Sequence, residues 1–239
     1  MKVLELFAGI GGFSLGLERA GMKTVAFCEF DKNAQKVLRK HWPKVPIHSD
    51  IKDLHGEEYK GTVDVITGGF PCQDLSSAGK KAGFEGERSS LYTEMLRVVS
   101  TVRPKYVIFE NVSALKSGDK GRWFAKFLYD VAQIGYDAEW HCISASSVGA
   151  PHQRDRIWVV AYPHEAQLER GGLSKRISEK HAQFSNTCWG KDKPGVVRTS
   201  DGIPNRAHRL NQLGNAVVPL IPFIIGTAIL EMETIYAKD

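Results

Sequence analysis

No apolar run in this 239-residue chain reaches membrane-spanning length, and Met1-Lys2-Val3-Leu4-Glu5 leads straight into a strand-like run with an acid inside it. Neither a transmembrane segment nor a secretory signal is expected. Cysteine is scarce: Cys28, Cys72, Cys142 and Cys188 are scattered, without the close pairs that metal sites use. No metal centre or disulfide framework is expected, and the implied setting is a reducing cytoplasm. A glycine is missing where a dinucleotide fingerprint needs its third one, because that position is Ser14, and no lysine follows to make a phosphate-clamping loop. There is no internal repeat or low-complexity tract. A strong charge of one sign is lacking too, since the net value is only +5, yet nine Lys or Arg against five Asp or Glu fall between Glu165 and Leu210. Such a basic segment is often solvated surface, and it is also what an element contacting a polyanion looks like.

What is present alternates. Strand-like runs occupy Lys2–Phe7, Thr24–Cys28, Val63–Thr67, Tyr106–Phe109, Ala138–Ser144 and Arg156–Ala161, with a short extended piece near Pro46–His48. Helical patterns fill Gly12–Ala20, Asp31–His41, Ser89–Thr101 and Asp119–Ile134, with Asp31 and Ser89 as N-caps. Strand–helix alternation implies an α/β fold, a mostly parallel sheet covered on both faces. Periodicity then collapses over Pro163–Ser200, which reads as a long loop or a very small subdomain. It resumes in the apolar run Ala216–Met232, a buried closing helix. The expected division is a catalytic and cofactor-binding domain over 1–162, a short region over 163–204, and a return to the first domain over 205–239.

Chemistry gathers at the ends of the strand-like runs, where parallel sheets place their ligands. Glycines in Phe7-Ala8-Gly9-Ile10-Gly11-Gly12 let the backbone turn tightly and approach a ligand. Glu29 ends the second run, the usual place for a partner of ribose hydroxyls, and Asp50 ends the third, within reach of an adenine amino group. Together they suit a nucleoside-bearing ligand without a pyrophosphate. Cys72, in Gly68-Gly69-Phe70-Pro71-Cys72-Gln73, sits on a loop after a buried run. A lone cysteine is usually a small buried hydrophobe. Here Glu110-Asn111 and Arg154-Asp155-Arg156 end or open neighbouring runs, and alternate spacing points both arginines to one face. Thiolate, carboxyl and guanidinium are what substitution at C5 of a pyrimidine requires. A thiolate adding at C6 makes C5 nucleophilic, while the acid on N3 and the guanidinium on O2 hold the developing charge.

The ordered set Phe7-Ala8-Gly9-Ile10-Gly11-Gly12, Glu29, Asp50-Ile51, Pro71-Cys72-Gln73, Glu110-Asn111-Val112, Arg154-Asp155-Arg156 and Gly214-Asn215-Ala216-Val217 resembles the DNA cytosine-5 methyltransferases of bacterial and phage restriction–modification systems. The resemblance implies a Rossmann-like S-adenosylmethionine-dependent methyltransferase sheet, double-stranded DNA as partner, S-adenosylhomocysteine as product and a target base flipped out of the duplex. By position it makes Cys72 the nucleophile, Glu110 the N3 contact and Arg156 the O2 contact, with Arg154 supporting the pocket. Phe7, Gly9, Gly11, Glu29, Asp50, Ile51, Pro71, Asn215 and Ala216 line the cofactor site, no metal is involved, and Gln73–Arg88 is a loop closing over DNA. It further implies a cytoplasmic monomer in a bacterial or phage-infected cell.

Two departures stand out. His152 replaces a glutamine frequent in the family, and Pro163 to about Pro204 is much shorter than its target-recognition domain. A short or degenerate target, or help from a restriction-system or specificity partner, is the expectation. A tRNA cytosine-5 methyltransferase, an inactive DNA-binding relative and a cysteine hydrolase using His152 are the alternatives.

Overall fold

The computed structural model describes residues 1–70, 90–166, 171–184 and 213–236. Among them, seven strands form one sheet: β1 (Lys2–Leu6), β2 (Lys23–Cys28), β3 (Ile47–His48), β4 (Val65–Gly68), β5 (Tyr106–Val112), β6 (Tyr136–Ser144) and β7 (Asp155–Pro163). Their order is β3-β2-β1-β4-β5-β7-β6. β7 runs antiparallel to both neighbours and the other pairings are parallel. From β1 the chain first winds outward through β2 and β3, then returns to lay β4 and β5 on the other side. That reversal opens a crevice between the carboxyl ends of β1 and β4, where α/β proteins bind ligands.

Side-chain alternation divides the core into two layers. Val3, Val65, Ile108, Trp158 and Val160 pack with residues from α1 (Gly12–Arg19), α6 (Gly172–Phe184) and α7 (Leu220–Tyr236). Leu4, Leu6, Ile66, Val107, Phe109 and Val159 pack with α3 (Ser90–Val102) and α5 (Arg122–Gln133). The period of two along each strand produces this partition, and the central strands are apolar almost throughout because both faces are covered. A smaller cluster joins α2 (Lys32–His41) to Ala8 and Phe27. Asp31 caps α2 as its sequence predicts, accepting from Asn33 N at 2.6 Å and Ala34 N at 3.2 Å. α7 crosses α1 so closely that a Cβ on Gly16 would lie 2.2 Å from the Pro219 carbonyl oxygen. Only glycine permits that approach, and it brings the C-terminal segment back onto the first turn of the chain.

Three elements differ from the sequence reading. β5 continues to Val112, so Glu110 and Asn111 lie inside a strand; pairing with β7 (Glu110 beside Trp158, Asn111 beside Ile157) supplies the extra length. α5 begins at Arg122 and not at Asp119, because Asp119 and Lys120 have left-handed backbone conformations, φ 46° and 56°, just after the short α4 (Ala114–Ser117). The third is α6, which occupies part of the segment read as lacking a stripe. Its buried apolar residues are Leu173 and Ile177, with Phe184 at its end packed on Phe223. The rest of its anchorage comes from distant acids. Glu139 on β6 accepts from Gly171 N at 3.1 Å and Ser174 N at 2.6 Å, and Glu231 on α7 lies 2.5 Å from Lys180 Nζ. Ser89 lies outside the described residues. Among those residues no helix is long and apolar enough to cross a membrane, and no cluster of three or more His, Cys, Asp or Glu is placed to hold a metal.

Candidate active site

A cavity of about 690 Å³ opens at the crevice, within the usual range for small-molecule sites. Its near end is built on the turn after β1. Phe7 adopts φ 52°, a left-handed conformation disfavoured by roughly 1–2 kcal/mol for a residue with a Cβ. Strain of this kind persists where surrounding structure fixes it and frequently marks a ligand contact. Gly9 follows at φ 55°, and its N–H donates to Glu29 Oε2 at 2.6 Å, while Asp31 N donates to Glu29 Oε1 at 2.7 Å. Glu29 therefore ties the turn to the start of α2. Burial raises its carboxyl above the ordinary range, and those backbone donors pull the other way. Asp50 and Ile51 stand on the same wall, as do Asn215 and Ala216. Gly11 does not line the cavity: it sits at φ 85°, with the Trp42 ring 2.6 Å from where its Cβ would be. Its part is to shape the turn.

At the far end lies Glu110, 7% exposed. Arg156 Nε stands 2.9 Å from Glu110 Oε1. The distance is that of an ion pair, but the N–H is not aimed along it, and Oε1 has no directed hydrogen bond among the described residues. Burial raises the Glu110 carboxyl, and the two arginines, Arg156 foremost, lower it less. A buried acid whose oxygen is paired by charge but takes no directed hydrogen bond can still bond an incoming polar group. Gly69 makes room for it, since a Cβ there would fall 2.8 Å from Glu110 Oε2. Asn111 Nδ2 donates to the Phe70 carbonyl at 3.2 Å, fastening β5 to the last described residue before Pro71 and Cys72. Pro71, Cys72 and Gln73–Arg88 lie outside the described residues. Of the cysteines that are described, Cys28 borders the cavity, but burial foremost, with nearby acids, pushes its thiol up to about 12, which leaves it inert as a nucleophile.

Arg154 has a distinct part. It donates to the carbonyls of Gly214 and Asn215, the latter at 3.0 Å, across some sixty residues of chain. The same arginine borders the cavity with Arg156. It fastens the returning segment, which carries Asn215 and Ala216, to the root of β7. Replacing Arg154 by alanine removes both bonds. Amide exchange over 213–219 is expected to speed up roughly tenfold or more, since each lost charged hydrogen bond amounts to about 1.5–3 kcal/mol. Unchanged protection there would show that the two carbonyls are held by something else.

Two residues at or just behind the wall escaped the sequence reading. Phe30 is 74% exposed beside Glu29. Such exposure of a large ring at a cavity mouth suits stacking on a flat ligand. Gln35 is fully buried on α2 and donates to the Glu29 carbonyl at 2.6 Å. A polar residue on the apolar side of α2, next to Ala34 and Leu38, was its available clue.

Comparison with known proteins agrees with this geometry. Residues 1–196 match the family model of the C-5 cytosine-specific DNA methylases. The type II methyltransferase M.Eco47II of Escherichia coli is 42% identical over 161 residues, 66% of this chain and 39% of that protein. M.DsaV of Dactylococcopsis salina is 35% identical over 204 residues, 79% of this chain and 57% of that one. The chain thus spans less than two thirds of the length of these relatives. In fold, it is similar to a putative DNA modification methyltransferase encoded within an E. coli prophage, with TM-score 0.71, 19% identity and coverage of 98% and 99% of the two chains. The S. pombe Dnmt2 methyltransferase is also similar, at TM-score 0.58 and 21% identity over 81% of this chain and 58% of that one. By the family match over residues 1–196, the chain belongs to the C-5 cytosine-specific DNA methylase family.

Proposed function

We propose that this protein transfers a methyl group from S-adenosylmethionine to C5 of cytosine in DNA, through a covalent bond between Cys72 and C6 of a flipped base. One observation carries the reading. A single cavity joins a nucleoside-suited turn, with Glu29 and Asp50, to the buried pair Glu110–Arg156. The donor set fits the cofactor: Glu29 and Asp50 present acceptors for hydroxyl and amino groups, and Phe30 presents an open aromatic face. Phe7, Ile51, Asn215 and Ala216 complete its enclosure. When bound, the cofactor supplies an electrophilic methyl group on a sulfonium.

Everything else falls to the chain. The Cys72 thiolate adds to C6, and the Glu110 carboxyl, held above its usual range by burial, donates a proton to N3 as electrons move onto the ring. Arg156 holds the O2 end of the base. Once C5 is methylated it loses its proton to solvent, the thiolate leaves C6, and N3 returns its proton to Glu110. Arg154 keeps the returning segment against the cofactor wall. Transfer of radiolabel from S-adenosylmethionine to duplex DNA tests the proposal directly. Label on tRNA alone, or on neither, would refute it.

Cofactor binding has its own test. Glu29→Ala deletes the acceptor assigned to the ribose and also frees the N–H groups of Gly9 and Asp31. Calorimetry should show S-adenosylmethionine binding weakened by about 1–3 kcal/mol, with DNA binding little changed. Full affinity in the variant would move the ribose contact elsewhere.

The short region over 163–204 is proposed to hold what target reading the chain has. Its described helix restricts how. Lys180 and Arg176 face Glu231, at 2.5 and 3.9 Å, which leaves Lys175 the cation of those three without an ion pair among the described residues.

A further inference from the structure

Glu5 has no part in the chemistry above, yet it stands where the cofactor turn is built. It lies within β1, 1% exposed, two residues before Phe7, and borders the same cavity as Glu29. A carboxyl inside a central strand is costly to bury unless it is compensated. Its compensation here is polar and uncharged: Glu5 Oε2 accepts from Ser14 N at 2.9 Å and from the Ser14 hydroxyl. No cation pairs with it among the described residues. β4 contributes Val65–Gly68, with nothing that titrates, and α1 contributes Ser14. β2 ends in Cys28 and a second acid, Glu29. The cavity's other acids are Asp31, Asp50 and Glu110. Of its cations, Arg156 is taken up by Glu110, Arg154 by the Gly214 and Asn215 carbonyls, and Lys52 is exposed. The turn end of the cavity is thus lined by acids and provided with no cation of its own.

We propose that Glu5 enables the cavity to distinguish the cationic sulfonium donor from its neutral thioether product, giving up its proton when the donor binds and regaining it after methyl transfer. This rests on S-adenosylmethionine being the cofactor. The electrostatics agree in sign. Burial foremost, with a contribution from Glu29, pushes the Glu5 carboxyl up to about 8, against the Ser14 hydrogen bonds, so at neutral pH it is mostly protonated. A positive charge entering the cavity favours the ionised form, and the proton goes to solvent. Loss of the methyl group leaves the sulfur neutral, the carboxylate again faces only other acids, and it takes a proton back from solvent. The product is then held less tightly than the donor, and release is favoured by the chemistry itself.

Calorimetry of the full chain at pH 7, in two buffers of different ionisation enthalpy, tests this with each ligand in turn. S-adenosylmethionine should release a large fraction of a proton on binding, and S-adenosylhomocysteine close to none. The donor-to-product affinity ratio should rise on the order of tenfold from about pH 6.5 to 8, as linkage to one carboxyl requires. Glu5→Gln, which keeps the shape and the Ser14 contacts, should flatten both effects. If that variant fails to fold, the contrast between the two ligands on the unaltered protein decides the matter. Equal proton release for both ligands would overturn the proposal, as would an unaltered pH dependence in Glu5→Gln. Absence of any S-adenosylmethionine binding would be a different failure, removing the cofactor assignment and this inference with it.

Discussion

Cys72→Ser is expected to lower methyl transfer by at least roughly three orders of magnitude, the scale on which an enzyme loses rate with its nucleophile. A serine hydroxyl is far less nucleophilic than a thiolate, and C5 of cytosine stays unreactive until something has added at C6. The same change should abolish trapping. An oligonucleotide carrying 5-fluorocytosine should hold the wild-type protein in a denaturant-stable complex, because fluorine at C5 cannot leave as a proton. A complex that survived in Cys72→Ser would assign the nucleophile to another residue. Cys28 is a poor substitute, its thiol being pushed up to about 12.

The second large effect belongs to Glu110. Glu110→Gln keeps the size of the group and removes its transferable proton. The maximal rate should fall roughly 10²–10⁴-fold, the range for a positioned proton donor, while cofactor affinity changes little because Glu29 and Asp50 are untouched. Oε1, paired by charge with Arg156 but taking no directed hydrogen bond, is what makes the expectation specific. If Glu110 served only to neutralise Arg156, the glutamine variant would lose stability and keep its rate. Unfolding midpoints measured beside turnover separate the two.

Much of this arrangement was legible in the sequence, for reasons that lie in particular residues. Val65-Ile66-Thr67 announces a buried strand because it is β-branched throughout and followed by glycines, and Asp31 announces a helix start because its side chain reaches only its own next turn. The acids at the strand ends and the paired arginines were found for the same reason: strand periodicity is local. What escaped depends on distant partners. α6 is held by Glu139, more than thirty residues earlier, and by Glu231, so its own few apolar positions looked insufficient. The extension of β5 to Val112 exists because β7 pairs with it. Glu5 entered the sequence reading only as an acid that excludes a signal peptide, and its burial in β1 depends on Ser14, nine residues on. Cys72 reverses the relation: it is prominent in the sequence and lies outside the described residues.

The two bonds from Arg154 to Gly214 and Asn215 have a consequence for how such a protein can change. They fix the start of β7 and the approach to α7 as one point on the sheet. Between those anchors the chain completes β7 and sets α6 against β6 and α7, so these elements are bound to the core. Residues added between α6 and Gly214 lengthen only a segment whose two ends are already held, and each doubling of such a length adds only about 0.6 kcal/mol of closure entropy. The junction is thus a socket: the size of what enters it can change while β7, α6 and α7 stay in place.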